Sequence, residues 1–289
     1  MESPLLRDVN KDYSREVAQQ GDTININFIS NLRTYSKLAD TAVTKQTPAG
    51  AKVPLVLDYH EEVTILIEDI LEAQSNKQLL DKYAGKAAEA LADKIVSVLA
   101  AQYANAASGM VVGTNTTEMD ELTILQTRRL MNDMHAPKSG RRMYVKDATP
   151  LLKLERFTSF DKVGSAEAMR RGEIDGFIHG FRIQEDIRLI DHATASGAAG
   201  AVHNLAMTDD GLLLATRDLA LPKAGTGAVG YREAWNGISL RFLLSYDTDF
   251  LADKLTVDCV FGVLVPNEVS VTGYKAPFVD VKTSVASYA

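Results

Sequence analysis

Asp22-Thr-Ile-Asn-Ile-Asn-Phe-Ile29 alternates without a break: Ile24, Ile26 and Phe28 fall on one side of an extended chain, Thr23, Asn25 and Asn27 on the other. A period of two residues is the mark of a half-buried β-strand. A second alternating run follows at Val53-Pro-Leu-Val-Leu-Asp-Tyr-His-Glu-Glu-Val-Thr-Ile-Leu-Ile67, where Val53, Leu55, Leu57 and Tyr59 keep phase with Val63, Ile65 and Ile67. Between the runs, Arg33 to Lys52 is polar, and Thr47-Pro-Ala-Gly50 marks a turn. The simplest arrangement is one long two-stranded hairpin. Ten residues of strand at ~3.3 Å each reach roughly 33 Å from the body. A hairpin of that length is marginal alone in water, so another surface must cover it.

Around the hairpin the pattern changes period. Upstream, the first twenty or so residues are polar and weakly patterned, which predicts an extended arm rather than a packed element. Downstream, Leu80, Ala84, Ala87, Leu91, Ile95 and Val98 recur at steps of three and four, with Asp81, Lys82, Lys86, Glu89, Asp93 and Lys94 opposite. This predicts a helix from about Asn76 to Ala107, a rod of roughly 45 Å at ~1.5 Å per residue. Shorter elements follow: an amphipathic helix over Glu118 to Met134 with Leu122, Leu125, Arg129 and Met131 near its faces, a strand over Arg142 to Val145, and a helix over Thr149 to Glu155. Another helix is expected over Ser165 to Arg171, then a strand pair in Gly176 to Gln184 and a strand over Leu212 to Thr216. Asp191 to Gly200 and Pro222 to Gly230 read as loops. Two further clean strands run through Ile238 to Tyr246 and Leu255 to Val265, joined by a turn at Thr248 to Asp253. No internal repeat is visible.

The chain has 289 residues, a formal net charge of -7 and a pI of about 5.3. That length allows one large domain or two modest ones with a sizeable core. An acidic chain is poorly suited to gripping phosphate, because non-specific DNA affinity rests on clustered Lys and Arg. It is compatible with a wall around DNA. Cys259 is the only cysteine, which excludes an intrachain disulfide and a cysteine-based zinc site. In an apolar strand it is expected to be a buried, inert thiol. Met1-Glu-Ser-Pro4 has no basic or apolar leader character, and no apolar run approaches the ~18 residues that span a bilayer. A soluble chain made in a reducing cytoplasm is the expectation.

Motifs that would carry chemistry are weak. Gly225-Thr-Gly-Ala-Val-Gly230 is formally G-x-G-x-x-G, but it lies late in the chain and outside any β-α-β pattern, so a flexible loop is expected. His60-Glu61-Glu62 lacks the second histidine of a zinc protease motif and lies in a strand pattern. His135, His179, His192 and His203 have no ligand spacing, and Thr208-Asp-Asp-Gly211 reads as a turn. Neither a nucleophile elbow nor a phosphate loop is present, so no catalytic residue, metal or cofactor is assigned.

Several segments taken in order resemble one family. They are Asn10-Lys-Asp-Tyr13 with Gly21-Asp-Thr-Ile-Asn-Ile26, then Val53 to His60 with the Leu79 to Tyr103 helix, and then Gly172-Glu-Ile-Asp-Gly-Phe-Ile-His-Gly-Phe-Arg-Ile183. Asn204-Leu-Ala-Met207, Leu219-Ala-Leu-Pro-Lys223, Asn236-Gly-Ile-Ser-Leu-Arg241 and Phe261-Gly-Val-Leu-Val265 follow. Their collinearity, from about Asn10 to Val271, is similar to the tailed-phage major capsid proteins of the Hong Kong 97 fold, in the branch of short-tailed-phage coat proteins. Phe261 to Val265 resembles that family's closing strand.

The resemblance implies an α+β capsid fold. Its parts would be an N-terminal arm (1–21), an extended hairpin or E-loop with its base (22–70), and a peripheral domain with a long spine helix (71–117). An axial domain (118–235) and a return to the peripheral sheet with a C-terminal tail (236–289) complete it. The implied function is a non-enzymatic major capsid protein, assembling as pentamers and hexamers into an icosahedral head around double-stranded DNA. Implied partners are further copies of the chain, a separate scaffolding protein, a portal protein and packaged DNA held without sequence-specific binding, with no membrane. The implied location is the virion, after synthesis in a bacterial cytoplasm. At the hairpin tip, Lys37 and Lys45 are expected to pair with Glu89 or Asp93 on a neighbour's helix, with Pro48 and Gly50 in the same intersubunit set; solvated charge is the alternative. Two other functions stay open: the shell of a protein-only nanocompartment of the same fold, and an oligomeric α/β enzyme or ligand-binding protein.

Overall fold

The computed structural model describes residues 3–12, 23–29, 32, 34–47, 50–68, 79–107, 109–152, 177–190, 200–223, 225–235, 237–266 and 276–284. Strands β1 (Thr23–Ile29) and β2 (Gly50–Val56) pair antiparallel from Thr23↔Val56 to Ile29↔Gly50. The alternation works as expected at the base of this hairpin. Ile24, Ile26 and Leu55 are buried together with Leu213 and Ala215.

The return run is not one strand. It breaks at Leu57-Asp58, and β3 (Tyr59–Glu68) joins a different sheet. The side-chain phase carries through the break, so alternation alone gives no sign of it. β3 pairs along its full length with β12 (Ala252–Leu264), from Ala252↔Glu68 to Phe261↔Tyr59. The other edge of β12 is divided. Its first half pairs with β11 (Ile238–Asp247), its second half with β9 (Leu213–Arg217). β10 (Ala228–Trp235) completes this five-stranded sheet at the far side of β11. Residues 228–230, expected as loop, are therefore strand.

Where β2 leaves the first sheet it crosses β12 at Gly262. A Cβ built there would stand 2.1 Å from the Val56 carbonyl oxygen and 3.1 Å from Leu57 Cα. Only a residue without a side chain admits this backbone crossing.

The long helix ends at Ala101 rather than at Ala107, and its expected start at 76–78 lies outside the described residues. α2 runs Leu79–Ala101, about 35 Å at ~1.5 Å per residue, and a 3-10 turn continues it over Gln102–Asn105. Its buried stripe, Leu91, Ile95 and Leu99, packs with Phe242, Leu255, Val257 and Phe261 of the five-stranded sheet. The same core takes in Tyr144, Leu205, Met207 and Phe278 from a second sheet.

That second sheet has six strands in the order β4 (Val111–Gly113), β13 (Phe278–Ser284), β8 (Ala201–Met207), β5 (Arg142–Val145), β7 (Phe181–Glu185) and β6 (Phe177–Ile178). Its opposite face carries Met143, Val145, Ile183, Val279 and Val281 against Ile124 and Met131 of helix α3 (Glu121–Asp133). The last strand among the described residues is β13, in the second sheet; Phe261 to Leu264, expected as a closing strand, is the end of β12. Of the two short helices expected next, α4 occupies Thr149–Leu152, while Ser165 to Arg171 lies outside the described residues.

Two elements differ from expectation for identifiable reasons. In α3 the inward face is Thr123, Ile124, Thr127 and Met131, while Leu122 and Leu125 point outward. The inward threonines satisfy their hydroxyls locally: Thr127 Oγ1 donates to the Thr123 carbonyl at 2.8 Å, and Asp120, the N-cap, accepts from both Thr123 groups. At the N-terminus, Pro4–Asp8 forms helix α1, capped by Ser3, whose Oγ accepts from Leu6 N–H. Leu5 and Leu6 are fully buried in the main core, and Ser3 also hydrogen-bonds Asp186. Residues 3–12 are therefore a packed element, not an extended arm. Two leucines suffice, because they are held by a proline-started, serine-capped turn.

Candidate assembly surface

Two buried carboxylates inside the fold hold strands together. Asp258 is buried and accepts from Arg241 Nε at 2.9 Å and from His60 Nε2 at 3.0 Å, which ties β12 to β11 and β3. Burial pushes its carboxyl up, but the hydrogen bonds from Arg241 and His60 outweigh this and hold it below the usual carboxylate range. His203 Nδ1 lies 2.9 and 3.0 Å from the two Asp280 oxygens, linking β8 to β13, and Tyr103 stacks on the imidazole with centroids 3.6 Å apart. Burial pushes the Asp280 carboxyl up against the opposing pull of His203. The Cys259 thiol is buried and pushed up to about 12, which makes it a poor nucleophile.

Among the described residues no three His, Cys, Asp or Glu side chains come together as a metal site, and no helix is long and apolar enough to cross a membrane. The glycine-rich stretch at 225–230 contains a turn that leads directly into β10, so it opens a strand and not a nucleotide-binding helix.

The surface carries two features that stand out chemically. One is the loop beyond the hairpin, of which residues 34–47 are described. It is exposed throughout, and a turn is formed within it: Thr41 Oγ1 donates to the Leu38 carbonyl at 2.8 Å, with Asp40 at φ 59°. Tyr35, Leu38 and Val43 are 54, 72 and 63% exposed. Large apolar side chains clustered on one projecting loop are the pattern of a contact surface rather than of scattered surface residues.

The other is a groove of about 440 Å³ between α2 and the β10–β11 ribbon. Its floor is made by small residues of α2, among them Ala84, Gly85 and Ala88, and its wall by Tyr231, Trp235 and Phe242. Tyr231 stacks flat on Phe242, with centroids 4.8 Å apart. Glu89, Asp93, Glu233 and Arg188 form the rim.

Of the residues expected at subunit contacts, Lys37, Lys45, Glu89 and Asp93 fall on these two features. Lys37 and Lys45 are exposed on the loop, Gly50 opens β2, and Pro48 lies outside the described residues. Glu89 and Asp93 stand on the groove rim, where each already has a partner in its own chain: Lys86 Nζ at 2.6 Å from Glu89, and Arg188 Nη2 at 2.8 Å from Asp93. The hydrogen bond from Lys86 holds the Glu89 carboxyl below the usual range. Both acids remain more than half exposed, and no loop residue lines the groove within one chain. Sequence reasoning missed Gly85, Tyr231 and Trp235. The groove joins residues about 150 positions apart, and β10 falls where the glycines suggested a loop.

No family model matches the chain, and no curated protein matches it. Solved structures do. A structure from Mycobacterium phage Che8 is 19% identical, with a TM-score of 0.69 over 97% of this chain and 91% of that one. The capsid of Ralstonia phage GP4 is 8% identical, with a TM-score of 0.65 over 97% and 87%. The mature capsid of bacteriophage PhiM1 is 11% identical, with a TM-score of 0.61 over 99% and 89%. The chain has a phage-capsid fold. At such identities the likeness is one of backbone shape, and it extends over nearly the whole chain.

Proposed function

We propose that this chain is the major capsid protein of a tailed phage, a Hong Kong 97-type subunit that builds an icosahedral head around double-stranded DNA from pentamers and hexamers and catalyses no reaction. The observation that carries the proposal is the similarity over 97% of the chain to a phage structure at a TM-score of 0.69. In this reading residues 22–70 are the E-loop and its base, and 71–117 with 236–289 form the peripheral domain around the spine helix α2. Residues 118–235 form the axial domain. Segment 1–21, assigned as the arm, begins with the packed helix α1. A separate scaffolding protein, a portal and the DNA are the remaining partners, and the virion is the location. Weak contacts suffice in such a shell, because closed symmetry repeats each of them many times.

Electron microscopy of the recombinant protein, alone and with a candidate scaffolding partner, tests the proposal. Shells are the expected result; small particles that never assemble in either case would overturn it. Deleting Lys37 to Gly50 should leave a folded subunit that no longer assembles.

A further inference from the structure

Three aromatic rings and three carboxylates line the one groove between α2 and the β10–β11 ribbon. We infer that this groove binds a linear aliphatic polyamine, with the methylene chain along Ala84, Gly85 and Ala88 and the ammonium groups at Glu233 and the acids of α2. The inference concerns the single subunit and does not depend on the shell reading.

The strand builds the recognition element. Side chains on β10 alternate, so Tyr231, Glu233 and Trp235 share the face that looks onto α2, each roughly 7 Å from the next along the strand. Glu233 therefore stands between two ring systems. Opposite Tyr231 in register is Phe242, and these two rings stack with centroids 4.8 Å apart. The residue opposite Glu233 is the buried Leu240, which offers it no charge. Arg232, its neighbour in the chain, turns away to donate from Nε to the Leu219 carbonyl at 2.6 Å. A carboxylate flanked by aromatic faces attracts an ammonium group twice over, through its own charge and through the ring quadrupoles.

Charge then selects the ligand class. Glu89, Asp93 and Glu233 against Arg188 leave the lining at a charge of -2. Arg188 is committed to Asp93 at 2.8 Å, and Lys86 reaches Glu89 at 2.6 Å from outside the lining. The Lys86–Glu89 contact is an exposed helix pair and is easily exchanged for another cation. Among the described residues Glu233 has no ion pair. An anion would be repelled here, and a neutral apolar molecule would strip water from Glu233 without replacing it. A bare metal ion would find no group of three ligands among the described residues and would gain nothing from the rings.

Space allows the rest of the molecule. The groove, of about 440 Å³, falls in the size range of small-ligand sites. Ala84, Gly85 and Ala88 leave the helix surface low, and a Cβ at Gly85 would meet nothing within 4 Å. A methylene chain can lie there with its charged ends at the rim, as a lysine stem does on an apolar surface.

Trp235 is the chain's single tryptophan and stands on the groove wall, so its emission reports occupancy. Spermidine is titrated at fixed ionic strength into full-length protein kept below its assembly concentration, with binding heat as a second readout. Wild type should show a saturable change in Trp235 emission with one site per chain. Glu233→Gln, an exposed change that should leave the melting temperature unaltered, should bind at least about tenfold more weakly. Gly85→Leu, which fills the groove, should show a similar loss; if it does not fold, Glu233→Gln alone decides. Magnesium supplies charge without a chain and octanediol a chain without charge, so neither should displace spermidine. Equal binding by wild type and Glu233→Gln, or displacement by magnesium, would mean general counter-ion binding and would overturn the inference. An unsaturable response or none in wild type would also overturn it, and in each of these cases shell assembly would be unaffected.

Discussion

Replacing Gly262 by alanine should loosen the hairpin from the body of the subunit. The added Cβ would lie 2.1 Å from the Val56 carbonyl oxygen, against the ~3.3 Å at which carbon and oxygen atoms normally approach. Roughly 1.2 Å must be found, and the opposing atoms are all backbone: Val56 O, Val56 C and Leu57 Cα. No rotamer change can supply it, so β2 has to move off β12. Overpacking of this kind costs about 1–3 kcal/mol. The displaced strand carries Leu55, which is fully buried with Ile24, Ile26, Leu213 and Ala215. Burying such a side chain is worth about 1.5–3 kcal/mol, so a partial loss of that cluster adds roughly another 1 kcal/mol. A total near 3 kcal/mol corresponds to a drop in Tm of roughly 5 °C for a chain of this size. Thermal unfolding by circular dichroism measures the drop. Hydrogen exchange should show faster exchange of the β1–β2 amides, with β8 and β13 unchanged. A variant that melts within 2 °C of wild type, with β1–β2 protection intact, would refute the argument that this crossing excludes a side chain.

Two further outcomes follow from the interior. Leu5→Ala should cost about 2–5 kcal/mol in denaturant unfolding, because Leu5 is fully buried in the main core; a change within error would return residues 3–12 to the status of a dispensable arm. Asp258 has a folded pKa below its unfolded value near ~3.9, so the stability it contributes is present above that unfolded value and is lost as pH falls through the folded one. Asp258→Asn should therefore be less stable than wild type at pH 7, by about 3 kcal/mol if Arg241 is left without its carboxylate, and the gap should narrow below about pH 4. Melting curves from pH 7 to pH 2 would show a constant gap if Asp258 were not ionised in the fold.

The strands that β-alternation marks most clearly, β1, β11 and β12, are those that bury one face over many residues, and these were legible in the sequence. The break at Leu57-Asp58 was not, because Leu55, Leu57 and Tyr59 keep one phase while the chain changes sheets. β13 escaped because Phe278-Val-Asp-Val-Lys-Thr-Ser284 alternates only briefly and places a charge, Asp280, in the interior, where His203 makes it tolerable. The inward face of α3 escaped because its threonines bury their methyls while satisfying their hydroxyls on the helix itself. Of the groove beside α2, Glu89 and Asp93 were visible as the charged side of a helical stripe. The aromatic wall opposite them was not, since only the antiparallel return from β11 to β10 brings Tyr231 and Trp235 over α2.

Helix α2 shares a single core with both sheets, and this fixes how the subunit can respond to force. Leu91, Ile95 and Leu99 touch a cluster that includes Phe261 on one side and Leu205 and Phe278 on the other. Prising the sheets apart means opening that cluster to water, whereas a linker would merely bend. The described body therefore responds as one unit, its two sheets coupled through one helix.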